Sequence, residues 1–334
     1  SMKAHFPEPA ATLYFGGGTP SLVPPLVLRN LVNEIELTPG AEVSLEANPE
    51  DVNERTIEQW IEAGINRLSL GVQTLDDSQS PRLGRRHRAA QVVQVLRDVA
   101  RTDLRSWSVD LLFGLPGQST GELRDDLEEL LSFDPPHVSL YGLTLEPGTV
   151  LQREHAQGRL RLPHEDLWAE QYELVVTLLN NAGCERYEVS NFARDGHRSQ
   201  HNEATWRGGY YAGLGPSAHG FHPDGTRSVN PGSMEDWLTG TRLEQPSPHQ
   251  AAIDLVLSTL RHVDGLPLDV LRHRTTHQLD LDALESLFDS GLLVLEAGHL
   301  RLTADGFPIA DGITLRVVRA LQRPSATEHC GQRA

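Results

Sequence analysis

The chain has 334 residues, 38% hydrophobic and 22% charged, which is the balance of a globular protein with a full core and excludes a disordered one. Its 29 basic and 46 acidic residues leave a net charge of −17, and without a Lys/Arg-rich run this argues against a nucleic-acid partner. Lys3 is the only lysine, so the body of the domain holds no phosphate-loop lysine, no Schiff-base lysine and no catalytic lysine.

Taken in order, short apolar runs alternate with amphipathic segments. The chain opens Ser1-Met2-Lys3-Ala4-His5-Phe6-Pro7 and enters a strand, Thr12 to Phe15, almost at once, so either Ser1-Met2 is foreign to the natural chain or the sequence is a fragment of a longer one. The pattern then predicts a helix over Leu26 to Ile35, a strand over Glu42 to Glu46 and a helix over Glu54 to Ala63. Strand Arg67 to Gln73, helix Ala89 to Ala100 and strand Trp107 to Phe113 follow. Helix Gly121 to Leu131, strand His137 to Leu143 and helix Asp166 to Asn180 come next, leading to a run that ends Tyr187-Glu188-Val189-Ser190. Strands and helices alternating at this spacing imply parallel βαβ units. An open doubly wound sheet and a barrel both fit that pattern.

From Arg227 to Pro248 the composition turns polar and reads as a linker, punctuated by Asn230-Pro231-Gly232. Helices Gln250 to Arg261 and Asp282 to Ser290 follow, then strands Leu292 to Leu295 and His299 to Leu302, then a helix from Thr303. Helices followed by a hairpin suggest a small winged-helix-like domain. Its acidic residues, among them Asp280, Asp282, Glu285 and Asp289, favour a structural or partner-docking role over DNA binding. The expected organisation is a core over residues 1–226, a linker over 227–248 and a C-terminal domain over 249–323.

Polar groups recur where strands end. Gly16-Gly17-Gly18-Thr19 follows the first strand, Glu46 the second and Gln73 the third, while Asp110 lies in the fourth and Tyr141-Gly142 closes the fifth. In a barrel these ends share one mouth. The glycines let backbone N–H groups approach an anionic ligand, and the acidic and amide groups suit a ligand with hydroxyls and a cationic part. A tight glycine turn with solvated carboxylates is the plainer alternative. Two nucleotide motifs fail: Gly16-x-Gly18 has Ser21 in place of a third glycine, and Gly114-Leu115-Pro116-Gly117-Gln118-Ser119-Thr120 has no lysine.

Six motifs in order carry a family resemblance. They are Tyr14-Phe15-Gly16-Gly17-Gly18-Thr19-Pro20-Ser21, Glu46-Ala47-Asn48-Pro49-Glu50, Gly71-Val72-Gln73, Leu83-Gly84-Arg85-Arg86-His87, Asp110 to Gln118 and Leu143 to Thr149. Together they resemble the HemN/HemW branch of the radical S-adenosylmethionine proteins, and the likeness runs on through Arg261-His262-Val263-Asp264-Gly265-Leu266. The resemblance implies an α/β fold: an incomplete radical-SAM (partial TIM-type) parallel barrel with the small C-terminal winged-helix-like domain. It also implies a site. Gly17, Gly18 and Thr19 would hold the methionine end of S-adenosylmethionine, and Glu46, Gln73 and Asp110 would surround its ribose and amino group. Arg85 would pair with its carboxylate, and Gly142 would pack backbone against the adenine. By spacing alone Arg85 belongs to a solvated basic run, Arg82 to Arg88.

The family places CxxxCxxC ahead of these motifs, where its thiolates hold a 4Fe-4S cluster. Here no cysteine precedes Cys184, and the only other is Cys330; both read as reduced thiols. A truncated start is the expected explanation, and the chain as written could not run the radical reaction. Two branches remain: a haem chaperone, and a coproporphyrinogen III dehydrogenase of porphyrin biosynthesis. An inactive binding scaffold is a third reading. The discriminating stretch is Tyr187 to Ala193 followed by Gln200-His201-Asn202-Glu203-Ala204-Thr205-Trp206, which resembles the HNxxYW pattern of the chaperone branch, with Thr205 where that pattern has Tyr. There His201 would ligate haem iron, with Asn202 and Trp206 contacting the macrocycle. By spacing alone His201 is better explained by a hydrogen bond within a glycine-rich loop, and the resemblance reverses that preference. His219 and His222 are further ligand candidates, and Gly213 to Gly220 completes the resemblance. No signal peptide and no run of roughly 18–20 apolar residues is visible, so a cytoplasmic location is expected. The implied partners are haem and acceptor haemoproteins; membrane-associated acceptors and a homodimer are further expectations.

Overall fold

The computed structural model describes residues 8–323; Lys3 and Cys330 lie outside them. The chain divides into two compact units, one from Pro9 to His201 and the other from Asn202 onward.

The first unit is built on a sheet of order β1-β2-β3-β4-β5-β7-β6. Its parallel strands are β1 (Ala10–Phe15), β2 (Leu37–Ala47), β3 (Arg67–Gln73), β4 (Ser106–Phe113) and β5 (His137–Gly142). The helices are α1 (Pro25–Glu34), α2 (Glu54–Glu62), α3 (Ala89–Val99), α4 (Thr120–Leu131), α5 (Val150–Ala156) and α6 (Glu165–Asn181). Side-chain caps fix several starts: Asn53 accepts from the Thr56 N–H ahead of α2, and Ser119 from the Glu122 N–H ahead of α4.

Strand order separates the two architectures that periodicity left open. A doubly wound sheet reverses direction at a switch point, whereas these parallel strands follow one another in sequence order. The helices crowd one face. Leu28, Ile57, Trp60, Val95, Leu127 and Val175 join Val43, Leu45, Leu68, Leu70, Val109, Leu111, Val138 and Leu140 of the sheet in one core. This is the singly wound arrangement of a radical-SAM-type partial barrel. The run around Tyr187, expected to continue the parallel pattern, does not. β6 (Glu185–Arg186) and β7 (Asn191–Ala193) pair antiparallel, β7 against β5. Both are too short to carry a periodic signal, and only a tight loop joins them.

The other sheet face is polar. Period-two alternation points Glu42, Ser44 and Glu46 of β2 away from the core, with Arg67 and Ser69 of β3, Ser108 and Asp110 of β4, and His137 and Ser139 of β5. Register places them in rows: Glu46 opposite Ser69, Ser69 opposite Ser108 and Asp110 opposite Ser139.

Helix α7 (Gln200–Trp206) contains the division between units. In the second unit β8 (His219–Phe221), β9 (Arg227–Val229) and β10 (Arg242–Glu244) form an antiparallel sheet, with α8 (Met234–Thr239) between the last two. Residues 227–248 are therefore not a linker. Strands of three residues show no readable alternation, and Ser233 caps α8 directly after the Asn230-Pro231-Gly232 turn. Then come α9 (Pro248–Thr259), β11 (Leu266–Pro267), α10 (Leu268–Thr275), β12 (Gln278–Leu279), α11 (Glu285–Asp289), the hairpin β13 (Leu293–Glu296) and β14 (His299–Leu302), α12 (Ala310–Arg319) and β15 (Leu321–Gln322). Helix α10 was absent from the sequence reading, and the last helix begins after Thr303, behind a 3-10 turn at Phe307–Ile309.

Candidate functional site

The glycine loop after β1 is held against β2. Tyr14 donates its hydroxyl to Glu46 Oε1 at 2.5 Å, and the Gly17 N–H donates to Oε2 at 3.1 Å. A Cβ at Gly16 would stand 2.5 Å from the Tyr14 ring and 3.0 Å from Glu46 Oε1, so only glycine fits there. Gly17 and Gly18 have φ of +76° and +60° with open space where a side chain would stand, which is a cradle lined by backbone. Thr19 closes the loop ahead of a 3-10 turn.

A second cluster forms at the end of β3. Gln73 is buried at φ +71°, a left-handed conformation that costs a non-glycine residue about 1 kcal/mol or more and is typical of functional sites. A Cβ on Gly71 would lie within 4 Å of the Gln73 amide, Asn48 and Arg85, so the three converge there. Arg85 donates to Asn48 Oδ1 at 2.7 Å and is half-buried, whereas Arg82, Arg86 and Arg88 are exposed. Membership of a solvated run is thereby corrected for Arg85 and upheld for its neighbours. His87 anchors the same loop, contacting Glu50 at 2.9 Å and the Val72 carbonyl at 3.1 Å. Burial pushes the Glu50 carboxyl up, but the His87 hydrogen bond and charge more than offset this and hold it below the ordinary value.

Asp110 accepts from Ser69 Oγ at 3.1 Å. Burial raises its carboxyl from 3.8 to about 6; the Ser139 and Ser69 hydrogen bonds oppose the rise and the Glu46 charge adds to it. Burial first, and then the Glu46 charge, also push the Tyr14 hydroxyl well above its usual range. Tyr14, Glu46 and Asp110 are thus electrostatic neighbours, and a cation placed among them would be stabilised. Gly142 differs. Its Cβ position faces Trp168 of α6 at 3.0 Å, so packing of that indole already requires a glycine.

The phosphate-loop-like turn spends its donors internally. Gly114 N–H donates to Gln171 Oε1 at 3.0 Å, and Gln171 Nε2 donates to the Gln118 carbonyl at 2.9 Å. It is a scaffold turn.

His201 ends the first unit on the polar face. Its ring stacks on Tyr14 with centroids 4.8 Å apart and 14° between planes, and its Nδ1 lies 3.0 Å from Thr12 Oγ1. The backbone N–H groups of Gln200 and His201 donate to Glu42, whose Oε2 lies 3.6 Å from buried Arg67. Burial lowers the His201 pKa, partly opposed by the Glu42 charge, and this favours the neutral imidazole that metals require. Asn202 and Trp206 fall in the second unit, where Arg261 lies over the Trp206 ring at 4.9 Å. Glu42, Arg67, Ser69 and Tyr14 were not singled out as functional by the sequence reading. The alternation Arg67-Leu68-Ser69-Leu70 and Ser108-Val109-Asp110 carried that signal.

Cys184 is buried, with Sγ 3.8 Å from the Pro135 carbonyl, and burial pushes its thiol up. Among the described residues no group of three or more His, Cys, Asp or Glu could hold a metal. The described residues therefore offer no ligand set for a 4Fe-4S cluster. No helix among the described residues is long and apolar enough to cross a membrane. His219 lines a cleft of the second unit.

The profile of the Radical SAM superfamily matches residues 2–130. "Radical S-adenosyl methionine domain-containing protein 1, mitochondrial" of Bos taurus is 36% identical over 93% of this chain and 76% of its own length. "Heme chaperone HemW" of Escherichia coli is 37% identical over 77% of this chain and 70% of its own, and that of Lactococcus lactis 30% over 92% and 84%. Among solved structures, coproporphyrinogen III oxidase of Escherichia coli superposes with a TM-score of 0.76, covering 92% of this chain and 77% of that one, at 19% identity. That likeness concerns the fold alone.

Proposed function

Because this chain belongs to the HemW-like family of radical S-adenosylmethionine proteins, we propose that it is a haem chaperone that binds haem and S-adenosylmethionine and delivers haem to acceptor haemoproteins. The observation that carries this reading is His201, a half-buried imidazole whose low basicity favours the neutral form and whose Nδ1 meets the Thr12 hydroxyl. Such a second contact on one ring nitrogen sets the orientation and tautomer of an imidazole that ligates metal. In this reading His201 binds the haem iron, and Asn202 and Trp206 contribute to holding the macrocycle.

S-adenosylmethionine would rest on Gly17, Gly18 and Thr19, with Arg85 on its carboxylate and Glu46, Gln73 and Asp110 around its ribose and amino group. Gly142 backs the adenine side. A 4Fe-4S cluster in the intact protein belongs to the same proposal and would supply reductive cleavage of S-adenosylmethionine; among the described residues none forms its ligand set. The proposed location is cytoplasmic; the proposed acceptors include membrane-associated haemoproteins, and a homodimer is part of the same proposal.

The test is a haem titration followed by absorbance, with His201→Ala in parallel. Saturable binding with a Soret shift that is lost in the variant is expected. Unchanged binding in His201→Ala would overturn the ligand assignment. Turnover of coproporphyrinogen III to a decarboxylated product by the intact protein, reconstituted with its cluster, would replace the chaperone reading with that of a dehydrogenase.

A further inference from the structure

The turn after β4 has the look of a phosphate-binding loop without its lysine, and guanidiniums from two other segments gather beside it. There the first unit has a cleft of about 250 Å³. Its walls are Pro116 and Gly117 of that turn, Arg82 of the loop after β3, and Glu154, Arg159 and Arg161 at and beyond the end of α5. Gly117 has φ of +79° with open space where a side chain would stand, so a ligand can approach its backbone closely.

Local structure holds each arm of the cleft. The Gln79 side chain donates to the Pro116 carbonyl at 2.8 Å, and the Arg82 N–H donates to the Gln79 carbonyl at 2.9 Å. The Arg82 loop is thereby bolted to the turn. Helix α5 ends in a Schellman motif: the Arg159 N–H donates to the Glu154 carbonyl at 3.0 Å, and that of Gly158, at φ +69°, to the His155 carbonyl at 2.9 Å. Leu160 is then buried, and its carbonyl lies 3.2 Å from His155 Nδ1. Arg159 and Arg161, on either side of it, stay at the surface.

The charge pattern is the informative part. In a chain of net charge −17, three guanidiniums line this cleft against one carboxylate, that of Glu154. Elsewhere arginines meet acidic partners, as Arg67 meets Glu42 and Arg207 meets Asp264. Among the described residues no carboxylate pairs with Arg82, Arg159 or Arg161. Like charges gathered without a counter-ion repel, and a multivalent oxyanion between them turns that repulsion into attraction. Guanidiniums are suited to the task because their paired N–H groups match phosphate oxygens. Pro116 and Leu160 are buried, so the cleft offers no apolar anchor of the kind that fixes a protein partner.

We propose that this cleft binds the phosphate chain of a diphosphate, free or carried by a nucleoside, with Arg82, Arg159 and Arg161 on its oxygens. The site is distinct from the one assigned to S-adenosylmethionine, since Arg85 of the same loop turns to Asn48 instead. It does not depend on the haem reading.

The experiment titrates inorganic pyrophosphate into the whole chain by calorimetry, in a buffer free of phosphate and divalent metal. Saturable binding with Kd below about 1 mM is expected at low salt, weakening several-fold at about 150 mM salt. Arg159→Gln and Arg161→Gln should each weaken it about tenfold. Glu154→Gln removes the one repelling carboxylate and should tighten it, while Arg86→Gln, outside the cleft, should leave it unchanged. Melting curves check that the variants fold. Adenosine diphosphate separates the two sources: a nucleotide site binds it more tightly than pyrophosphate, and a site for the free anion does not. Absence of saturable binding, or affinity unchanged in both Arg159→Gln and Arg161→Gln, overturns the proposal.

Discussion

Asp110 shows how one residue on the polar sheet face joins stability to ligand binding. Burial lifts its carboxyl from 3.8 to about 6, so between those values the folded protein retains a proton that the unfolded chain has released. Stability contributed by this group is therefore present at low pH and is lost as pH rises through about 6. Asp110→Asn should flatten that slope in melting curves measured from pH 4 to 7. A cationic ligand acts in the opposite sense, because it draws the proton off. Binding of S-adenosylmethionine, read by calorimetry, should weaken as pH falls from 7 to 5 and lose this dependence in Asp110→Asn.

At the scale of elements, Glu42 of β2 organises the approach to His201. It accepts the backbone N–H groups of Gln200 and His201 at 3.1 and 3.2 Å, and it faces Arg67 at 3.6 Å with both side chains almost fully buried. Removing one partner of a buried pair leaves an uncompensated charge, at a cost of about 3–5 kcal/mol. Glu42→Gln should lower the unfolding free energy by roughly that amount in urea titrations. Haem affinity should fall with it, although Glu42 is not proposed to touch haem. Elements of this size were legible in the sequence: β3 spans Arg67–Gln73 as the apolar alternation indicated, and α1 to α4 fall within a residue or two of their patterns. Glu42 was readable only as part of a strand. Its role depends on the chain returning to β2 after more than 150 positions, as in the Ser199–Glu42 contact at |i−j| = 157, and no local pattern encodes that return. The strands of residues 219–244 escaped because three-residue elements are held by their partners rather than by their own periodicity.

For the whole molecule, charge sets the terms on which ligands arrive. A chain of net charge −17 repels a ligand bearing carboxylates, and physiological salt confines that repulsion to separations within about 8 Å. Association of haem, followed by stopped-flow absorbance, should therefore speed up several-fold between about 10 mM and 150 mM salt. A positively steered encounter slows over the same range. The strand order was not legible at this scale, because local patterns fix strands and helices but not which strand lies beside which. Serial parallel order and a core confined to one face emerge only when the sheet is assembled.

Tyr14 gives its hydroxyl to Glu46 and its ring face to His201. One side chain thus touches both the carboxylate assigned to S-adenosylmethionine and the imidazole assigned to haem iron. Any movement of Tyr14 that one ligand favours and the other opposes makes the two affinities interdependent, and by equilibrium reciprocity the factor is the same in both directions. A chaperone wired in this way would release its cargo in response to the cofactor level, and cargo occupancy would in turn set how tightly the cofactor is kept.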